Sequence, residues 1–373
     1  MDKHAVFPGA DDDPGTYKME NKNYMDLIND LIKGTFNDAL KASIKDPMMA
    51  AFFVRTMMSQ KKAAAIRQEN EQQGLHVPPV MILSVTGKCN LNCAGCYSHN
   101  LHRSLEEEMS REKLVQVLSE ARDLGISIVV LAGGEPLVRP EIFEVTKEFP
   151  DMIFTMFTNG TLIDDAVVAR FKSQKNVIPV LSVEGYEEDT DGRRGIGVYR
   201  DVRRIMESLN KNNIFFGVSI TVTRSNYDTV TAGEFVQDLR DHGCKAFFYI
   251  EYSPVNEDTE DWVPTEEQRA GILRAMNDYR ARLSGVYIGF PGDEKAFGGC
   301  LSAGRGFVHI SASGSLEPCP FAPYSDVSLK NMSFRDALQS KFLRTIRDNH
   351  GELMESDGGC AIWKKREWVQ SLL

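Results

Sequence analysis

The sequence lacks any unbroken apolar run near the roughly 18 residues that a membrane-spanning helix needs. It also lacks an excess of positive charge, since 53 acidic against 43 basic side chains leave a formal net charge of −10. Nucleic-acid binding rests on cations that neutralise phosphates, so this balance argues against a nucleic-acid partner and is compatible with small molecules or a basic peptide. The opening stretch, MDKHAVFPGADDDPGTYKME, has neither the charged nor the apolar region of a secretion signal. Internal repeats and low-complexity tracts are absent as well. With no such signal, an odd count of 7 cysteines speaks for reduced thiols or metal ligands over a disulfide framework. The expected compartment is therefore the cytoplasm, with no membrane association.

What is present is an ordinary globular composition, 42% hydrophobic and 26% charged over 373 residues, long enough for a large α/β barrel with a small appendage. Residues 1–76 read as a loose tail, with an Asp run at Asp11, Asp12 and Asp13, followed by a helical cap. Met25, Leu27, Ile28, Leu31 and Ile32, then Met48, Phe52, Phe53, Thr56 and Met57, recur at helical steps, and Met48, Met49, Met57 and Met58 read as core filler. Residues 77–284 alternate between strand and helix. The pattern predicts strands at 80–85, 126–131, 152–157, 177–183, 214–222 and 246–251, and helices at 110–124, 163–173, 199–210, 229–241 and 265–283. Units of this size imply parallel strands with right-handed crossovers, and place functional residues in the loops after the strands' C-terminal ends. Residues 285–373 break the rhythm. Phe307–Ile310 and Ser315–Pro318 flank Ser313–Gly314 as a hairpin, a helix is predicted over 333–348, and a turn at Gly358–Cys360 precedes a short last helix.

The segment TGKCNLNCAGCY puts Cys89, Cys93 and Cys96 in the pattern C-x-x-x-C-x-x-C directly after the first strand. A [4Fe–4S] cube normally takes four thiolates, so three in one tight loop leave one iron open to a small molecule. Zinc sites usually add a second C-x-x-C or a His pair, and neither follows nearby. A zinc knuckle and an unrelated thiol cluster are the alternatives.

The C-x-x-x-C-x-x-C loop, with Tyr97 in the following aromatic slot, resembles the signature of the radical S-adenosylmethionine (SAM) superfamily. That resemblance implies a partial (β/α)6 TIM-like barrel and SAM bound through its amino and carboxylate groups to the open iron. Successive strand ends are similar to further family segments. Gly133, Gly134, Glu135 and Pro136 match the GGEP motif, in which Glu135 is expected to receive the SAM ammonium. Thr158, Asn159 and Gly160 resemble the TNG turn at the barrel rim. The segment LSVEG carries Ser182 and Glu184, with Glu where the family usually has Asp. Arg193 and Arg194 in DGRRG are candidates for a carboxylate contact, with a solvent-facing role as the alternative, and Ser219 and Thr221 fall on one face of the fifth strand. The expected SAM-contacting set is Tyr97, Gly133, Gly134, Glu135, Ser182, Glu184, Arg194 and Ser219.

Cys300, Gly314 and Cys319 form C-x13-G-x4-C, and Cys360 follows. This is similar to the start of the SPASM/twitch extension that carries auxiliary Fe–S clusters. The dense cysteine block of a full SPASM module is missing, which fits a shorter, twitch-like α+β module holding one second [4Fe–4S] cluster on Cys300, Cys319 and Cys360. A zinc staple or three buried thiols are the alternatives, and Cys244 reads as a core residue. His99, His102 and His309 are assigned no chemistry. The resemblance implies an enzyme that reductively cleaves SAM, using a low-potential donor such as ferredoxin or flavodoxin. The resulting 5′-deoxyadenosyl radical would abstract hydrogen from a small metabolite or cofactor precursor, with the auxiliary cluster aiding oxidation or anchoring. A peptide-modifying maturase is the second reading. An Fe–S electron-transfer protein is the third, and it would leave the GGEP motif without a purpose.

Overall fold

A computed structural model describes residues 24–102, 106–291, 297–354 and 360–373. The Asp11–Asp13 run and Gly358–Gly359 of the expected turn lie outside these residues. Among the described residues nine strands form one open sheet: β1 (Val80–Thr86), β2 (Ile128–Gly133), β3 (Ile153–Thr158), β4 (Val177–Val183), β5 (Gly217–Val222), β6 (Ala246–Glu251), β7 (Val286–Phe290), β8 (Phe307–Ile310) and β9 (Leu316–Glu317). Their spatial order is β7-β6-β5-β4-β3-β2-β1-β8-β9. Every neighbouring pair is parallel except β8–β9, which is antiparallel. The fold is α/β, a partial barrel that does not close.

The sheet runs past the expected six strands at both edges. Val286–Phe290, read with the tail from sequence, pairs with β6 as a seventh parallel strand. On the other edge the tail hairpin joins the sheet through β8, whose Val308 and His309 stand opposite Met81 and Ile82 of β1. Residue 284 is therefore not an edge of the sheet. The predicted helix at 333–348 is two helices, Phe334–Ala337 and Lys341–Asp348. Ser340 divides them, because its hydroxyl accepts from Leu343 N–H and caps the second.

Strand alternation sorts the side chains into two layers. Phe154, Met156, Leu181, Val218, Ile220, Phe247 and Tyr249 join the large core beneath the crossover helices, among them α4 (Arg111–Asp123) and α8 (Val198–Lys211). Tail residues Val308, Ile310, Leu316, Phe334 and Leu343 share that same core. Ile153, Ile178, Val180, Phe215, Ala246, Phe248 and Val286 point to the other face, where α1 (Tyr24–Ala42) and α2 (Pro47–Gln72) cover them with Phe36, Ala39, Met49, Phe52 and Phe53. Among the described residues, then, the N-terminal helices pack against the inner face of the partial barrel. Ser182 and Ser219 continue the inner-face alternation beyond Val180 and Gly217, towards the C-terminal strand ends. No helix among the described residues is long and apolar enough to cross a membrane.

Candidate active site

The cysteine loop leaves β1 and is tied to two neighbouring strand ends. Gly134 N–H donates to Thr86 O at 2.8 Å, and Glu135 N–H donates to Lys88 O at 2.8 Å. This contact tolerates no side chain: a Cβ on Gly134 would lie 2.1 Å from Lys88 O. Further along the loop, Ala94 N–H donates to Arg193 O at 2.9 Å while Arg193 Nε returns a bond to Ala94 O at 3.2 Å. Gly95 has φ +62, and a Cβ there would sit 2.5 Å from the Tyr252 hydroxyl. Cys89 is exposed and Cys93 and Cys96 are half-buried. Burial pushes the Cys89 and Cys93 thiols up, and Arg194 and Arg193 oppose this at Cys93.

Glu135 is 1% exposed, and both its oxygens are engaged. Oε1 accepts from Leu137 N–H at 3.0 Å and from the Thr158 hydroxyl at 2.7 Å, and Oε2 accepts from Asn159 N–H at 2.8 Å. Burial raises its pKa, opposed by those same bonds. Sequence reasoning gave Glu135 a ligand and missed this brace. A carboxylate offers about four lone-pair positions, so one remains for an ammonium. The TNG turn in turn reaches the cysteine loop, where Asn159 Nδ2 donates to Asn90 Oδ1 at 2.9 Å.

Beyond β4, Glu184 gathers both arginines of α7 (Glu187–Arg194). Arg193 Nη1 lies 2.5 Å and Arg194 Nε 2.8 Å from Glu184 Oε1, with the carboxylate 2% exposed. Oε2 of the same group is buried with no hydrogen-bond partner. Arg193 also donates to the Thr221 hydroxyl at 3.1 Å, and the Ser219 hydroxyl donates to Ser182 Oγ at 3.1 Å. Two cations and the Glu184 carboxylate thus meet beside Cys93, with the Thr221 hydroxyl bound to Arg193. Asn226 was not anticipated; its Nδ2 bonds both Glu184 O and Thr221 O, at 2.7 and 2.9 Å, and its position after β5 is the signal that could have flagged it. Tyr252 and Trp262, with rings 5.2 Å apart, were missed as well, although Tyr252 directly follows β6. A cleft of about 560 Å³ opens on the outer side of the loop, lined in part by Asn92, Cys93, His99, Arg193 and Ile196.

Tyr97 links this loop to the tail. Its ring tilts against Phe321 at 5.3 Å, and burial, then the Cys96 and Cys319 thiols, push its phenol up. Cys300 and Cys319 are buried, Cys360 is half-buried, and all three belong to or pack on the main core. Backbone bonds tie the Cys300 segment to Leu353 and to the Cys319 segment: Cys300 N–H to Leu353 O at 3.2 Å and Ala303 N–H to Pro318 O at 3.0 Å. Arg305 donates to the carbonyls of Phe297, Gly299 and Cys300. Cys244 is a core residue next to β6, its thiol pushed up to about 12 by burial.

Residues 83–239 match the family model for the radical SAM superfamily. That segment of the chain is a radical SAM domain. It is 26% identical to the AdoMet-dependent heme synthase of Methanosarcina barkeri over 315 residues, 77% of this chain and 88% of that protein. It is 27% identical to the mycofactocin maturase MftC of Mycolicibacterium smegmatis over 317 residues, 79% of this chain and 77% of that protein. Among solved structures, Streptococcus suis SuiB superposes with TM-score 0.63 at 18% identity, covering 80% of this chain and 76% of that one, a likeness of fold. Radical SAM enzymes use a [4Fe–4S] cluster and SAM, and the residues present fit both. Three thiols lie on one loop, side-chain-free glycines stand beside it, and an unpartnered carboxylate oxygen faces no protein donor.

Proposed function

We propose that this radical SAM enzyme acts on a small cofactor precursor, with tetrapyrroles bearing carboxylate side chains as the first class to test. When bound, the cluster and SAM supply a one-electron cleavage that yields a 5′-deoxyadenosyl radical for hydrogen abstraction. In this reading Cys89, Cys93 and Cys96 hold the cluster. The Gly133–Gly134 backbone and the remaining lone pair of Glu135 receive the SAM ammonium. Glu184, Arg194, Ser182 and Ser219 orient the rest of SAM, and Tyr97 closes the loop towards the tail. Arg193 and Arg194 both donate to Glu184 Oε1, which leaves Oε2 available as an acceptor. Cys300, Cys319 and Cys360 hold a second cluster, supported by the backbone bond between the Cys300 and Cys319 segments and by the packing of Cys360 on the same core. The cleft beside Cys93 offers a low-potential donor such as ferredoxin or flavodoxin a short route to the first cluster.

The observation that carries the substrate class is the heme synthase match, which covers 77% of this chain and 88% of that protein. A second reading, modification of a peptide, is favoured by the match of similar extent to the mycofactocin maturase. The test is anaerobic turnover of the reconstituted enzyme with SAM and reductant. One set of assays offers iron-coproporphyrin and the other a panel of short basic peptides. Substrate-stimulated 5′-deoxyadenosine with mass loss in the tetrapyrrole supports the first reading. Stimulation by peptide alone overturns it in favour of the second.

A further inference from the structure

A second group of ligand-type side chains lies away from the arginine-lined site, at the seam between the cysteine loop and the tail. His309 on β8 and Glu317 on β9 face each other across the antiparallel ladder. His309 Nδ1 is 2.7 Å from Glu317 Oε2. His102, just past the short helix Tyr97–Leu101, brings its Nδ1 to 3.9 Å from the same oxygen. The ligand atoms of all three fall within 4.8 Å of one another, and His309 and Glu317 are buried.

The far side of each imidazole is also built. His102 Nε2 lies 2.6 Å from the Pro320 carbonyl, which can only accept, so in the neutral ring Nε2 carries the hydrogen. Its Nδ1 is then a lone pair, and it faces a carboxylate. Two acceptors face to face need something positive between them, a proton or a cation. His309 Nε2 lies 2.8 Å from the Ser84 hydroxyl. A hydroxyl can donate or accept, so Ser84 suits His309 either with Nδ1 protonated towards Glu317 or with Nδ1 bare and Nε2 protonated. Metal-binding histidines characteristically pass their other ring N–H to such an oxygen. The short helix, β1, β8 and β9 thus supply two oriented imidazoles and one carboxylate.

We propose that His102 Nδ1, His309 Nδ1 and Glu317 Oε2 form a binding site for one divalent transition-metal ion of the zinc type, distinct from the six cysteines assigned to clusters. Tetrahedral zinc with N and O ligands at about 2.0–2.1 Å puts its ligand atoms about 3.3 Å apart. The observed 2.7 and 3.9 Å separations bracket that value, so small side-chain shifts bring the set onto an ion. On binding, His309 changes tautomer with no net change in its protons: Nδ1 gives its proton to solvent and becomes a ligand, Nε2 takes one proton from solvent, and the Ser84 hydroxyl keeps its own and turns to accept. The ion would tie the loop that follows Cys96 to the strand that leads into Cys319, and its fourth position would take water.

The test is elemental analysis and zinc X-ray absorption on the full chain with its Fe–S content restored, so that cysteines are occupied, after equilibration with Zn²⁺ and desalting. Wild type is expected to retain about one zinc per chain, with N/O scatterers at about 2.0–2.1 Å and no sulfur at about 2.3 Å. Glu317→Gln and His309→Ala should retain none, with iron unchanged. His102→Gln, at the edge of the buried group, serves if His309→Ala does not fold, and should also lose the metal. Ser84→Ala should weaken zinc binding by about 10- to 100-fold, the usual effect of losing an outer partner. Zinc with sulfur scatterers, zinc retained by His102→Gln and Glu317→Gln, or a folded wild type that retains none would overturn the proposal. Because none of these readouts uses SAM cleavage, they stand apart from the proposed function.

Discussion

The two cysteine triplets are built in opposite ways. Cys89, Cys93 and Cys96 share one loop, stay exposed or half-buried, and are linked by local backbone geometry around Ala94 and Gly95. Cys300, Cys319 and Cys360 come from three separate segments, the first two buried, and each belongs to or packs on the core that the tail shares with the barrel sheet. The first triplet needs the fold mainly to aim it: GGEP braces one flank and α7 the other. The second draws on long-range pairings, β8 docked on β1 and Leu353 bonded to Cys300. A local triplet can therefore lose its metal and leave the fold standing, whereas a triplet assembled at long range contributes its metal-binding energy to the fold itself.

The sharpest way to break this contrast is to remove each triplet in turn. Replacing Cys89, Cys93 and Cys96 by Ala should abolish 5′-deoxyadenosine formation while the protein stays folded and keeps about four of eight irons, at four per cluster. Undiminished product would end the assignment of this loop. Replacing Cys300, Cys319 and Cys360 should remove the other half of the iron, lower the melting temperature and leave substrate-free SAM cleavage measurable. If iron content is unchanged, or if the melting temperature does not move, the coupling of the tail metal to folding is wrong.

Two smaller effects sharpen the comparison. Phe53→Ala hollows the contact between α2 and the inner face of the sheet and should cost about 3–5 kcal/mol in unfolding free energy. Since that cluster contains neither triplet, iron per folded chain should be unchanged. A loss of iron would show that the helical cap supports the metal loops. Glu135→Gln should cost about 1.5–3 kcal/mol of SAM affinity, measured by isothermal titration, with iron content held. If affinity stays and thermal stability falls, Glu135 serves only to brace Thr158 and Asn159.

The same contrast explains what the sequence made legible. The first triplet, GGEP and the TNG turn each lie within a few consecutive residues, so spacing alone reveals them, and alternation marks most strands of the sheet. Val286–Phe290 escaped because a short apolar segment at the start of the tail carries no sign of which sheet edge it joins. The Glu184–Arg193–Arg194 cluster was visible only as separate candidates, because α7 must form before both guanidinium groups turn back onto one carboxylate oxygen. His309 and Glu317 become partners through strand register, which the glycine of the hairpin suggests but does not number. Glu135 was recognised as a site residue while its brace was not, since the three donors to it come from two turns.

The parallel pairing of β1 with β8 also sets an order of events during synthesis. Val80 waits for Phe307, so the strand that launches the cysteine loop keeps an open edge while most of the chain is still being made. Residues 80–251 can lay down β1 to β6 in sequence order, each strand covering the last, but the outer flank of β1 stays available to any other strand until the tail emerges. Ribosome-bound chains halted before residue 300 should therefore be richer in chaperone contacts and aggregation than chains halted after β9.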